Sequence, residues 1–169
     1  MRLRGALTAL LLVAALPAGA QQRWVAFSDP AQGFSAQFPG PPRENSKPVD
    51  GKFPLTAYQY QFADGSGVYN ISVIAFAGGH NPNPGPAFLT VMIANYARGS
   101  GATVRTQYAI TLAGRPGMEA IAEDSAHNRF HLIDVVVLGT RAYLIVSEGA
   151  RGHETSPEAV QFRNSFRLG

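Results

Sequence analysis

Two short runs in the last third of the chain, Val135-Val136-Val137-Leu138 and Tyr143-Leu144-Ile145-Val146, are apolar at every position, with Gly139-Thr140 between them. Successive side chains of a strand point to opposite faces of the sheet. Such a run therefore carries apolar side chains on both faces, and a hairpin of two of them belongs in a sheet covered on both sides. Val68 to Ala77 has the same property: Tyr69, Ile71, Val73 and Ala75 share one face, and Ile74 and Phe76 make the other apolar. Strands of this kind ask for covering elements on each side of the sheet.

The remaining strand-like segments alternate. Phe34, Ala36 and Phe38 oppose Ser35 and Gln37. Pro39, Pro41 and Pro42 then stop the segment, because proline has no N–H to give to a ladder. Tyr58, Tyr60 and Phe62 oppose Gln59 and Gln61; Met118, Ala120 and Ala122 oppose Glu119 and Glu123. Val104, Thr106, Tyr108, Ile110 and Leu112 oppose Arg105, Gln107 and Thr111. Trp24 to Phe27 forms a short opening strand. Turn signals separate these segments at Asp29-Pro30 to Gly33, Asp64 to Gly67, Ala113 to Gly117 and Ser125 to Asn128. Residues 39–54, with five prolines and two glycines, and residues 78–86 read as irregular surface loops.

Two helices complete the pattern. Pro86 suits a first helical position, and Phe88, Leu89, Met92, Ile93 and Tyr96 recur at helical spacing up to an end before Gly99. Thr155-Ser156-Pro157-Glu158 is a helix-start signature, with Ala159, Phe162 and Phe166 on one stripe behind it. The expected fold class is α+β: a mostly antiparallel sheet of about eight strands with one helix on each face, a three-layer α/β/α sandwich. A closed barrel is the alternative, since closure also removes sheet edges. Phe38 and Phe166 are expected to anchor the core.

The N-terminus reads as an export signal. Arg2 and Arg4 precede an apolar run from Gly5 to Leu16, and Pro17 and Ala18-Gly19-Ala20 supply a break and a cleavage site. The run is too short for the roughly 20 residues that span a bilayer. The predicted organisation is a signal peptide over residues 1–20 and one domain over 21–169, periplasmic or secreted, with no stable membrane anchor after cleavage. The chain has no cysteine, which excludes a lipid-anchored lipoprotein and any disulfide, so core packing has to hold the domain. Without Arg2 and Arg4 the 14 basic residues fall to 12 against 11 acidic ones. They are scattered, which argues against a nucleic-acid partner.

The order of these features resembles the PsbP-like family. The features are the Trp24 strand, Gly33-Phe34-Ser35-Ala36-Gln37-Phe38-Pro39 with its proline loop, a helix before the strand ending Leu112-Ala113-Gly114-Arg115-Pro116-Gly117, Arg141-Ala142-Tyr143-Leu144 in the central pair, and Phe162-Arg163-Asn164-Ser165-Phe166 at the end. The resemblance covers about residues 24–168. It implies an α/β/α sandwich and the habit of that family, whose members act as accessory or binding subunits more than as enzymes. It carries no site residue across.

The polar residues give few chemical leads. If both lie on a strand, His127 and His131 are about 13 Å apart at about 3.3 Å per residue, too far to share one zinc ion; if His127 lies in the turn, the spacing leaves their distance undetermined. His80 and His153 fall in predicted loops and are expected to be solvated. Asp134 interrupts an apolar run, so it should be wet or paired with an arginine. Glu119, Glu123 and Asp124 read as a solvated strand face. Tyr58, Tyr60, Phe62, Tyr69 and Tyr108 read as core or sheet-face packing, with a binding surface as the other option. Asn70-Ile71-Ser72 matches a glycosylation pattern but lies inside a predicted central strand. No nucleophile elbow, zinc-binding helix motif or phosphate loop is present. No catalytic, cofactor or metal residue is assigned. The expected function is that of an exported, non-catalytic accessory protein with an unknown protein partner. A small-ligand or metal carrier is the alternative, and a hydrolase ranks behind both.

Overall fold

A computed structural model describes residues 24–49, 54–79 and 85–169. The predicted signal peptide, His80 and parts of the two predicted loops (50–53 and 80–84) lie outside them. Among the described residues, ten strands, two α-helices and one short 3-10 helix follow in the order β1 (Val25–Asp29), β2 (Phe34–Phe38), β3 (Arg43–Val49), β4 (Leu55–Ala63), β5 (Val68–Phe76), α1 (Pro86–Ser100), β6 (Thr103–Leu112), β7 (Arg115–Asp124), β8 (Arg129–Leu138), β9 (Arg141–Ala150), the 3-10 helix His153–Thr155, α2 (Pro157–Ser165) and β10 (Arg167–Leu168).

Seven strands form one antiparallel sheet in the order β3-β4-β5-β9-β8-β7-β6. The three strands with apolar side chains on both faces, β5, β9 and β8, are its consecutive centre; β8 and β9 are buried along most of their length, and the second half of β5 is half-buried. A second sheet of three strands, β1-β2-β10, is also antiparallel.

Alternate residues of the central strands join two separate cores. Tyr69, Ile71, Val73, Val136, Tyr143 and Ile145 pack with Phe34, Ala36 and Phe38 of β2 and with Phe162 of α2 and Phe166 just beyond it. Ile133, Val135, Val137, Ala142, Leu144 and Val146 pack with Leu89 and Ile93 of α1. Phe38 and Phe166 are 0% and 1% exposed, the two core anchors expected from the alternation of β2 and from the C-terminal helical stripe. The first core is rich in rings: Phe38 meets Phe162 edge-on at 5.0 Å, and Phe34 stacks on Phe166 at 6.1 Å. The β1–β2 hairpin is tied down by two tyrosines, as Tyr143 Oη donates to Gln32 O at 2.8 Å and Tyr60 Oη donates to Asp29 Oδ2.

Four details differ from the sequence expectation. The predicted loop 39–54 contains β3, a fully exposed strand with the sequence Arg-Glu-Asn-Ser-Lys-Pro-Val. It is an edge strand and needs ladder bonds on one side only, so Pro48 does not exclude it; its charges guard the edge. A register shift between Val104 and Thr106 in β6 turns Val104 to the core containing α1, while Ile110 and Leu112 stay with the other core. Helix α1 runs through Gly99 to Ser100, because the left-handed residue that ends it is Gly101, at φ 74°. Ala102 N–H then caps Ala97 O at 2.8 Å. Finally, β10 follows α2 and adds a third strand to the small sheet. The predicted start of α2 holds: Ser156 is the N-cap and accepts from Ala159 N–H at 3.1 Å.

Candidate functional site

The polar side chains that matter sit in rows set by strand register. Tyr108 lies opposite Glu119, Glu119 opposite Asp134, and Asp134 opposite Ile145. Two carboxyl groups therefore stand side by side at the sheet centre. Glu119 is 5% exposed and Asp134 1%. Helix α2 lowers Arg163 onto both: its Nη2 meets Glu119 Oε2 at 2.7 Å and its Nε meets Asp134 Oδ2 at 2.9 Å. Tyr108 Oη donates to the other Glu119 oxygen. Asp134 is thus paired with an arginine, one of its two expected environments. The expectation of a solvated face for Glu119 does not hold, because α2 covers that row. Glu123 keeps a partner at the surface, Arg105, at 3.0 Å, and Asp124 is buried at the turn that follows.

Burial pushes the Asp134 carboxyl up to about 7. The guanidinium of Arg163 works against that shift, and the neighbouring Glu119 adds to it. One guanidinium facing two carboxyl groups is electrically balanced when one of the two carries a proton.

A second polar row belongs to the core with α1. His131 lies opposite Glu148, and its Nδ1 hydrogen-bonds Tyr96 Oη of α1 at 3.0 Å. Glu148 accepts from Arg129 Nε at 2.7 Å. His131 is 2% exposed, and burial lowers its pKa. His127, by contrast, is an exposed turn residue whose Nδ1 bonds Asp124 Oδ2 at 2.5 Å. The two histidines lie in different environments and share no ligand set. Among the described residues no group of His, Cys, Asp and Glu has the arrangement of a metal site.

His153 is buried rather than solvated. Its ring rests against Gly149 and Gly67, where an added Cβ would meet ring atoms at 2.4 Å and 2.8 Å, and it meets Tyr69 edge-on at 5.7 Å. Gly149 on β9 and Gly67 in the turn before β5 are the sequence sign of such a seat, and their meaning depends on register. Of the five aromatic residues singled out, Tyr60 and Tyr69 are buried, and Tyr58 and Phe62 pack against the same core. Tyr108 is 48% exposed and serves as a hydrogen-bond donor instead. Asn70 lies in β5, buried between strands.

An apolar opening at the surface lies beside α1. Its buried residues Leu89 and Ile93 pack with strands β7, β8 and β9. Beyond its other flank, a groove of about 390 Å³ is lined by side chains including Val49, Leu55, Ile74, Phe76, Val91 and Met92. None of these carries a charge.

No family model and no curated protein matches the chain. Among solved structures, the solution structure of cyanobacterial PsbP (CyanoP) from Synechocystis sp. PCC 6803 is similar, with a TM-score of 0.57 over 93% of this chain and 99% of that one. Sequence identity is 9%, so the likeness is one of fold. This chain has a PsbP-like fold, and among its described residues no helix is long and apolar enough to cross a membrane.

Proposed function

We propose that this protein is an exported, non-catalytic accessory or binding protein. On this reading residues 1–20 are a signal peptide, residues 21–169 are the working domain, and its place is the periplasm or the cell exterior. The domain is read as three-layered, with α1 on one face of the large sheet and α2 with the small sheet on the other. The observation that supports a non-catalytic role most directly is the use of the ionisable groups. Arg163 joins α2 to the sheet through Glu119 and Asp134, and Tyr96 joins α1 to it through His131. Neither Asp134 nor His131 lines any of five well-formed grooves on the described residues. A hydrolytic centre built on either would need a substrate cavity at the carboxylate or imidazole.

Export is checked by the intact mass of protein recovered from a periplasmic fraction, which should begin at Gln21. A full-length mass in the cytoplasm removes the proposed address. The accessory role is checked by cross-linking and pulldown from the same fraction. A stable, stoichiometric protein partner supports it, and repeated recovery of folded protein alone counts against it. The second reading, a small-ligand carrier, is favoured by the uncharged groove beside α1.

A further inference from the structure

We propose that the groove beside α1 is a binding site for a single-chain amphiphile with an anionic head, of the class of alkyl carboxylates. Four large apolar side chains stand exposed among the described residues: Val49, Val91, Tyr108 and Val160. Two of them, Val49 at 37% and Val91 at 54%, line this one groove. They come from opposite walls, the edge strand β3 and the outer flank of α1. Two exposed valines facing one trough make an apolar surface with a purpose, where single exposed side chains need no explanation. The volume, about 390 Å³, is at the small end of ligand pockets, which suits one alkyl chain and not a two-chain lipid.

The head group follows from what adjoins the trough. A second depression of about 240 Å³ shares Ser72 and Ile74 with it and extends over Asn45, Lys47 and Gln59. Register places these residues on one side of the sheet: Lys47 is opposite Ala57, Asn45 opposite Gln59, and Gln59 opposite Ser72. Lys47 is the one charged side chain in either lining, and it makes no ion pair among the described residues. Ser72 Oγ accepts from Asn70 Nδ2 at 3.0 Å, which leaves its own proton to donate. An ammonium, two amides and a hydroxyl beside an apolar trough offer donors to a carboxylate whose alkyl chain lies under α1. A cationic head would meet Lys47 as a like charge.

This goes beyond the accessory role, and the two fail separately: a pulldown without a partner leaves ligand binding intact, and the reverse also holds. The test is titration calorimetry of the purified chain with decanoate, decyl maltoside and decyltrimethylammonium, each below its micelle concentration. Amide chemical-shift mapping locates the site. Decanoate should bind once per chain and shift residues of β4, β5 and α1. Decyltrimethylammonium should bind about tenfold more weakly, a difference of about 1.4 kcal/mol. Lys47→Gln should weaken decanoate about fivefold and leave decyl maltoside unchanged. Val91→Asp should weaken both by about tenfold or more. If Val91→Asp fails to fold, Val91→Ser gives the same reading with a smaller loss. Absence of saturable decanoate binding overturns the proposal. So does equal affinity for all three heads, shifts confined to other strands, or a concentration-dependent dimer that Val91→Asp abolishes in place of ligand binding.

Discussion

The two cores of this domain solve the same problem differently. The one containing α2 is closed by rings: Phe34 and Phe38 of the small sheet and Phe162 and Phe166 at the C-terminus interlock over Tyr69, Ile71 and Tyr143. Its one buried polar row is closed by Arg163. The one containing α1 is built from small and branched side chains, Ala120, Ala122, Val135 and Ala142 among them. There the cover stops part-way, and a groove lined by Val49 and Val91 remains. The ring-rich core draws on the nine-residue α2 and on β2 of the small sheet, whereas the other draws on the fifteen-residue α1. Stability should therefore concentrate in the ring-rich core, and ligand chemistry beside α1.

Four predictions break or sharpen that contrast. Truncation in the ring-rich core should have the largest effect: Phe38→Ala or Phe166→Ala should cost about 3–5 kcal/mol in denaturant unfolding. A loss under about 1 kcal/mol would mean the core does not depend on the rings. Arg163→Met should come next, at about 2–3 kcal/mol, because it strands two buried carboxyl groups. The figure sits below the 3–5 kcal/mol of a fully enclosed pair since Arg163 is partly exposed. Measured at several pH values, this loss should shrink toward acid, where Asp134 holds a proton.

The third prediction isolates Asp134. Its carboxyl is pushed above its unfolded value, so between about pH 4 and about pH 7 the folded chain holds a proton that the unfolded chain has released. Its contribution is full at acid pH and is lost as pH rises through that window. His131 and His153 work in the opposite direction, since burial lowers both and stability regained there rises with pH up to the ordinary histidine value. Comparing the wild type with Asp134→Asn separates the two. The slope difference between the stability–pH curves should be negative for the wild type, and parallel curves would remove the shared-proton account of the Asp134–Glu119 pair. The smallest stability effect belongs beside α1: Val91→Ser should change stability by less than about 0.5 kcal/mol. A larger loss would show that the groove is part of the core.

Much of the scaffold is legible in order. The both-face apolar runs placed β5, β8 and β9 at the sheet centre, and they are consecutive there with neighbours on each edge. The helix starts at Pro86 and Pro157 follow from local chemistry, since cap and first-turn preferences involve only a few successive residues. The Asp134 environment was narrowed to two choices by cost alone. What escaped was whatever depends on a distant partner. Edge strand β3 reads as a loop because its side chains are polar throughout and its only support is β4. Glu119 reads as solvated because the residue that covers it, Arg163, lies at the far end of the chain. His153 reads as a loop residue because its seat is made of two glycines distant in the chain or register, Gly67 in a turn and Gly149 on β9.

Taken alone, the amino-acid order determined which faces are apolar, where turns fall and that the central strands are apolar on both faces, because side-chain period and turn chemistry are properties of neighbouring residues. Only the tertiary structure decided which residues stand opposite one another. Register put Glu119 beside Asp134 and beneath Arg163, and it put Val49 across from the flank of α1. Pairing joins segments far apart in the chain, and its choice is settled by the packing of the whole sheet.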